Sequence, residues 1–188
     1  SPVLALVRKP LDIRLETEDN YRDALGCSGL FIALDSIRDP GNLGTILRIA
    51  DWFNVKAVFA SPDTVDIFNP KVVQATMGAI FRVKFHYASI PMLCDVAKSC
   101  GGEVYGTFLD GADIYGQELE CGNSRPSVIV IGNESNGISE EVGARVTGRL
   151  LIPRYKNDGS ESLNAAIATA VTVAEFRRRG AEHGNDSL

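Results

Sequence analysis

The sequence has few residues of the types that build metal centres or disulfide frameworks. It contains four cysteines and two histidines, namely Cys27, Cys94, Cys100, Cys121, His86 and His183. No two cysteines form a CxxC pair, so neither a zinc site nor a disulfide framework is predicted. We therefore expect no metal, and we interpret the cysteines as reduced thiols of a cytoplasmic protein.

Long apolar runs and an excess of positive charge are also absent. No stretch approaches the roughly 20 apolar residues of a membrane-spanning helix, so no membrane association is expected. Nineteen lysines and arginines face 24 aspartates and glutamates, which gives a net charge of −5. This balance argues against a nucleic-acid footprint over the whole chain. Five basic residues either form a local basic rim or are scattered surface charges. They are Lys71, Arg82, Lys84, Arg154 and Lys156.

Short apolar runs alternate with helical patterns through most of the 188 residues. Strands are predicted at residues 30–34, 55–60, 81–85, 103–107, 128–131 and 149–152. Helices are predicted at residues 41–53, 70–77, 90–100, 138–146 and 163–179. The alternation is typical of an α/β fold with a mainly parallel sheet and helices on both faces. Such folds bind ligands at the carboxyl ends of the strands.

The two ends of the chain lack a clear hydrophobic period. Residues 1–29 are interpreted as a lead-in or linker, with a short strand predicted at residues 3–7. Residues 30–180 are expected to form one domain. Gly180 is expected to close the last helix, and residues 181–188 are predicted to be a frayed tail.

A first polar cluster, residues 39–48, follows the strand at 30–34. Gly41, Asn42 and Gly44 allow a tight backbone at the start of a helix, where an anion can bind. Arg48 lies further along this helix, where its planar guanidinium could hold a phosphate or face developing negative charge. Alternatively, Arg48 is an exposed side chain paired with Asp51 at i+3.

A second cluster, Gly-Asn-Glu-Ser-Asn-Gly at 132–137, follows the strand at 128–131. Its two glycines resemble a phosphate loop, but Ile138-Ser139 stand where that loop needs Lys-Ser/Thr. Glu134 could bind a hydroxyl or a cationic group. Equally, it could only complement the dipole of the next helix.

A third cluster joins the last predicted strand to the last predicted helix. Pro153 ends the strand pattern because proline cannot donate to a sheet ladder, and a polar loop follows at 154–161. Ser162 and Asn164 then open the helix. A strand end beside a helix start offers free backbone groups to a ligand, although both side chains are also explained as helix caps.

Together, the three ordered clusters resemble the SpoU (TrmH-like) branch of the SPOUT RNA methyltransferases. The matching motifs are Asn42-x-Gly44-x-x-x-Arg48, Gly132-Asn133-Glu134-x-x-Gly137, and Ile152-Pro153 followed by Ser162-Leu163-Asn164. The resemblance covers roughly residues 30–180. Residues 69–81 also resemble the family, with Thr76 where it usually has serine.

The resemblance implies transfer of a methyl group from S-adenosylmethionine to a ribose 2′-hydroxyl of RNA. Ribosomal RNA is preferred over transfer RNA, and residues 1–29 are interpreted as a possible remnant of an N-terminal RNA-binding domain. The family also implies a C-terminal deep trefoil knot and a homodimer.

Ten site residues follow from the resemblance by position. The expected catalytic residues are Arg48, Asn42, Glu134, Ser162 and Asn164. The expected cofactor-binding residues are Thr107, Leu109, Gly132, Ile152 and Leu163. Since arginine does not readily give up its proton, we expect Arg48 to bind a phosphate and to stabilise the forming alkoxide.

The chain departs from the family pattern at two places. The loop at 154–161 is about two residues longer than usual, and Ala165-Ala166 stand where Val-Ser is common.

Two other functions are also considered. One alternative is a knotted protein that binds S-adenosylmethionine or RNA without catalysis. The other is a nucleotide- or phosphate-binding α/β domain of unrelated chemistry.

Overall fold

The computed structural model of the protein describes residues 14–155 and 162–184, with the backbone alone for residues 182–184. The strand predicted at 3–7, Lys156 and most of the loop at 154–161 lie outside these residues, as does the end of the predicted tail at 185–188. Within the described ranges, no helix is both long and apolar enough to cross a membrane.

A six-stranded parallel sheet forms the centre of the molecule. Its strands are β1 Gly29–Asp35, β2 Ala57–Ala60, β3 Phe85–Tyr87, β4 Glu103–Asp113, β5 Pro126–Gly132 and β6 Gly148–Leu151. They lie in the order β3-β2-β1-β5-β4-β6, and every pairing is parallel. All seven residues of β1 are buried, as expected for a parallel sheet covered on both faces.

Helices cover the two faces of the sheet. They are α1 Glu18–Leu25, α2 Pro40–Trp52, α3 Pro70–Ala75, α4 Ile90–Ser99, α5 Glu140–Gly143 and α6 Ala165–Gly184. Side chains of α2, α3 and α6 share one buried cluster with Leu30, Ile32 and Leu34 of β1, and those of α1, α4 and α5 share another with Phe31 and Ala33. The predicted α/β architecture is therefore confirmed.

The strand predicted at residues 81–85 is wrong. The chain forms a 3-10 turn at Ala79–Phe81, and strand β3 begins only at Phe85. Helix α3 ends at Ala75, earlier than the predicted Met77, and Met77 and Gly78 then adopt left-handed φ values of 49° and 87°. Phe81 is 81% exposed, so the apolar run that resembled a strand lies partly on the surface.

The ends of the described chain also differ from the prediction. Helix α1 was not predicted, although Thr17 and Asn20 form a reciprocal capping box at its start. Helix α6 continues through Gly180 to Gly184 instead of ending at Arg179. A Cβ built on Gly180 would lie 3.2 Å from Cβ of Cys121, so this glycine permits close packing and does not act as a helix stop.

The lengths of three further elements differ from the prediction. Strand β4 extends to Asp113 rather than ending near Thr107, and it contains an irregularity between Thr107 and Ala112. Helix α5 is a single short turn, and β2 begins at Ala57 rather than Val55. Only the extension of β4 alters the site described below.

A buried carboxylate fixes the end of α6. Glu175 is 6% exposed and accepts hydrogen bonds from Arg178 at 2.8 Å and from Arg179 at 2.6 Å. These interactions, with that of Arg178 the largest, lower the pKa of Glu175 to about 2. Arg179 also donates to the carbonyls of Ile114, Tyr115 and Gln117. The cluster therefore ties α6 to the segment that follows β4.

We expect Glu175→Gln to remove a pH-dependent part of the stability. The pKa of this group is about 2 in the folded protein and about 4.5 when unperturbed. Its contribution is therefore present above pH 4.5 and is lost as the pH falls towards 2. Urea unfolding should show a loss of at most about 3 kcal/mol at pH 7 and a smaller loss at pH 3. The control is Glu141→Gln. Glu141 is exposed and pairs with Arg145 on the surface, so its substitution should change stability by less than about 0.5 kcal/mol. Equal effects of Glu175→Gln at both pH values would contradict the assignment.

Candidate active site

The carboxyl ends of β1 and β5 meet at the centre of the sheet. Asp35 and Gly132, the last residues of these strands, are partners in the register. Strands β2 and β3 lie on one side of this pair, and β4 and β6 lie on the other. Open parallel sheets bind ligands at such a switch point, so the structure places the second polar cluster at the expected edge.

Asn42 joins the three polar clusters through one hydrogen-bonded chain. Its Nδ2 donates to Oε1 of Glu134 at 2.8 Å, and its Oδ1 accepts from Nδ2 of Asn164 at 2.8 Å. A carboxylate can only accept, which sets the orientation of the Asn42 amide. Asn42 is 8% exposed. The structure therefore brings together residues that are 92 and 122 positions apart in the chain.

The start of α2 positions Asn42. The side chain of Asp39 caps the helix by accepting from the backbone N–H of Asn42 at 2.7 Å, and Pro40 occupies the first turn. The predicted anion site at this helix start is not supported, because the Asp39 carboxylate occupies it. Gly44 also has a different role from the one predicted. A Cβ on Gly44 would overlap Cβ of Ala75, so this glycine lets α3 pack closely against α2.

Asn133 organises the loop that carries Glu134. Its Oδ1 accepts from the backbone N–H groups of Ser135 and Asn136, and its Nδ2 donates to the carbonyl of Ser36 at 2.7 Å. The loop folds back so closely that a Cβ on Gly132 would overlap the backbone of Gly137. Gly132 is thus required by the loop itself. Asn133 was not predicted as a site residue, although an asparagine that opens a polar loop is a known turn signal.

Two further polar residues at the end of β1 were also missed. Asp35 is 6% exposed and accepts from the backbone N–H of Ser139 at 2.7 Å. Ser36 has a left-handed φ of 63°, which is strained for a residue with a side chain. Its N–H donates to Oγ of Ser61, and its hydroxyl donates to Asp63. These contacts fix the turn whose Ser36 carbonyl accepts the hydrogen bond from Asn133.

The third cluster places Asn164 in two roles at once. Its Oδ1 accepts from the backbone N–H groups of Ala166 and Ile167 at 2.9 and 3.2 Å, which caps α6, while its Nδ2 donates to Asn42. The capping interpretation and the site interpretation are therefore compatible. Ser162 and Leu163 are exposed just before this helix.

Arg48 lies apart from this hydrogen-bonded chain. It is six residues beyond Asn42, or about 9 Å further along α2, and it is exposed. The predicted alternative of an Arg48–Asp51 pair is wrong, because Asp51 pairs with Arg82 at 2.7 Å. Among the residues that the structure describes, Arg48 has neither an ion pair nor a hydrogen bond from its side chain. Its guanidinium is therefore available to a ligand.

Most of the residues expected to bind a cofactor lie near the carboxyl ends of neighbouring strands, whereas Leu163 lies just before α6. Thr107 of β4 is the register partner of Leu150 in β6, and Gly132 ends the adjacent β5. Ile152 follows β6 directly and is half-buried. Leu109 and Leu163 are 73% and 51% exposed. In the described part of the chain, no group of three or more histidine, cysteine, aspartate or glutamate side chains could hold a metal ion.

The basic residues considered for a local rim lie on the surface wherever the structure describes them. Lys71, Lys84 and Arg154 are exposed, whereas Arg82 is engaged with Asp51.

Comparisons with known proteins agree with this architecture. The model of the SpoU rRNA Methylase family matches residues 29–174. The chain is 34% identical over 146 residues to the 23S rRNA (guanosine(2553)-2′-O)-methyltransferase RlmP of Bacillus subtilis, an alignment that covers 78% of this chain and 57% of that protein. It is 30% identical over 198 residues to the human mitochondrial rRNA methyltransferase 3, covering 80% of this chain and 47% of the relative.

A solved structure has the same fold. An AdoMet-bound rRNA methyltransferase from Sinorhizobium meliloti superposes with a TM-score of 0.75 at 33% identity, over 85% of this chain and 60% of that protein. The chain thus spans about half the length of the relatives that it matches.

We expect Asn42→Asp to destabilise the fold by about 2 kcal/mol at pH 7. The substitution removes the amide donor and places a second carboxylate beside Glu134. Adding Glu134→Gln should recover most of the loss, because glutamine can donate to the new carboxylate. Chemical denaturation of the single and double variants measures this coupling. Asn136→Asp, exposed in the same loop, is the control and should change stability by less than about 0.5 kcal/mol. Strictly additive effects of the two substitutions would contradict the described contact.

Proposed function

Because the chain belongs to the SpoU rRNA methylase family, we propose that it is the catalytic domain of an S-adenosylmethionine-dependent RNA methyltransferase. The acceptor is a ribose 2′-hydroxyl of ribosomal RNA. The observation that carries the proposal is the chain from Glu134 through Asn42 to Asn164, which joins the three motifs of the family. The relatives from Bacillus subtilis and humans are methyltransferases of ribosomal RNA.

The residues at the strand ends fit this cofactor. Leu109, within the irregular part of β4, and Leu163, just before α6, expose apolar side chains, which suits the faces of an adenine ring. The backbone at Thr107, Gly132 and Ile152 can meet the polar edge of the ring. S-adenosylmethionine supplies the methyl group from its sulfonium centre, and the attacking 2′-oxygen must lie in line with the bond that breaks.

We assign to Arg48 the stabilisation of the reacting 2′-oxygen. Its free, exposed guanidinium can hold the neighbouring phosphate and stabilise the negative charge that develops on the 2′-oxygen. Arginine remains protonated, so it acts electrostatically and does not serve as the base. Asn42, Glu134 and Asn164 hold the ends of their three segments together. Ser162, directly before α6, completes the set by orienting the ribose or the cofactor.

We expect Arg48→Ala to lower the rate of methyl transfer about 100-fold or more, while the affinity for the cofactor stays the same. Transfer of a radiolabelled methyl group to ribosomal RNA measures the rate, and calorimetry measures the affinity. Arg125→Ala is the control, because Arg125 directly precedes β5 at the opposite end of the sheet and pairs with Glu103 and Glu120.

Four outcomes would contradict parts of this proposal. A fully active Arg48→Ala variant would remove Arg48 from the mechanism. Label that appears only on transfer RNA would change the substrate, and binding without any transfer would indicate a non-catalytic protein. A thermal shift with ATP or NAD but not with S-adenosylmethionine would favour unrelated nucleotide chemistry.

We further propose that the chain forms a homodimer in the cytoplasm and that its C-terminal part is threaded as a trefoil knot. The order β5-β4-β6 supports the knot, because the chain passes beyond β4 to form β6 before α6 returns to pack near β5. Trp52 and Phe81 support the dimer. They are 85% and 81% exposed, and each adjoins one member of the Asp51–Arg82 ion pair. Exposed apolar side chains grouped in this way are typical of an interface.

We expect Phe81→Asp to shift a dimer towards monomer, because a carboxylate would then be buried in the interface. Light scattering coupled to size-exclusion chromatography measures the mass. The control is Met92→Asp on α4, which lies on the other face of the sheet and is 38% exposed. A monomeric parent protein, or a variant whose mass does not change, would contradict the placement of the interface.

A further inference from the structure

Four residues of β4 leave the sheet at its carboxyl end. Both Thr107 and Ala112 are register partners of Leu150 in β6, so residues 108–111 are looped out of the ladder. We call these four residues the β4 bulge. Gly111 closes it, because a Cβ there would lie 2.6 Å from the carbonyl carbon of Leu150. Bulges of this kind re-aim side chains, often beside active sites.

The ring of Phe108 anchors the β4 bulge. A Cβ on Gly106 would overlap this ring, and one on Gly143 would lie 3.7 Å from it. The ring therefore fills a space that these glycines leave between β4 and α5. The guanidinium carbon of Arg149 lies 3.5 Å from the ring centroid, a stacked cation–π arrangement.

The same guanidinium also holds Asp110. Nη2 of Arg149 donates to Oδ1 of Asp110 at 2.7 Å, and this hydrogen bond lowers the pKa of the carboxyl. Both side chains are partly exposed, at 43% and 76%, and ion pairs this exposed add little to global stability. Their combined effect is geometric, since one planar group fixes two of the four bulge residues.

We propose that Arg149 is a positioning residue that shapes the cofactor pocket by holding the β4 bulge against β6. This inference rests on the proposed function. The bulge includes Leu109, and Arg149 lies three residues before Ile152, so one side chain links two of the backbone segments assigned to the cofactor. Arg149 itself reaches Phe108 and Asp110, and it is not assigned a contact with S-adenosylmethionine.

The first test compares binding of S-adenosylmethionine to the 188-residue chain and to its Arg149→Ala variant by calorimetry. We expect the dissociation constant and KM for the cofactor to rise about tenfold, with kcat at saturating cofactor within twofold of the parent. Asp110→Asn should act in the same direction with a smaller effect, and it guards against misfolding of the first variant. Arg149→Lys retains the charge but not the planar group, so its affinity should be intermediate.

Arg145→Ala is the matched control. Arg145 also forms exposed ion pairs, with Asp95 and Glu141, and it has no contact with the β4 bulge among the described residues. Its substitution should leave cofactor affinity within twofold of the parent. An equal loss in this control would overturn the inference, because it would show a general effect of losing a surface ion pair.

A second measurement needs no ligand. Hydrogen exchange of the amides of residues 108–111 should be faster in Arg149→Ala than in the parent and unchanged in Arg145→Ala. A parent that binds no S-adenosylmethionine would overturn the proposed function, and this inference with it. A parent that binds, together with an Arg149→Ala variant that binds equally well or exchanges no faster, would overturn this inference alone.

Discussion

The arrangement of the site depends on the side chain of Asn42, whose donor and acceptor are both used. One amide faces a carboxylate on one side and a second amide on the other. This works only when the start of α2, the loop after β5 and the start of α6 all lie within hydrogen-bonding distance. Since Asn42 is nearly buried, losing either partner would leave a polar group unsatisfied. The interaction therefore couples the integrity of the fold to the assembly of the site.

The surrounding structure holds each end of that chain by local contacts. Asp39 caps α2, Asn133 ties its loop to Ser36, and Asn164 caps α6. Arg48, which we propose stabilises the developing negative charge, has no such support in the described structure and is exposed on the surface of α2. This contrast is physically reasonable. The frame must be fixed before a substrate arrives, whereas a group that holds phosphate gains from remaining unpaired until then.

Two stabilising features involve residues outside the region that the family model matches, residues 29–174. The hydroxyl of Tyr21, on α1, accepts from the backbone N–H of Ser89 at 2.8 Å. At the other end, the Glu175 cluster secures the last turns of α6. Both features brace the region matched by the family model from residues outside it.

The sequence by itself determined the alternation of strands and helices, the three polar clusters and the types of hydrogen-bonding group that they carry. These features are local, because periodicity, glycine and proline act within a few residues of the chain. Predictions from the sequence were wrong at two kinds of position. An apolar pattern lay on the surface at Phe81, and glycines that were expected to shape helix ends permitted close packing at Gly44 and Gly180.

Only the tertiary structure decided which polar groups meet. Asp51 could have paired with Arg48 on its own helix, but Arg82 reached it from the turn after α3. Asn42 met Glu134 and Asn164 because strand order and helix packing brought distant segments to one edge of the sheet. Contacts between residues about a hundred positions apart arise from the packing of whole elements, and no short-range pattern in the chain encodes them.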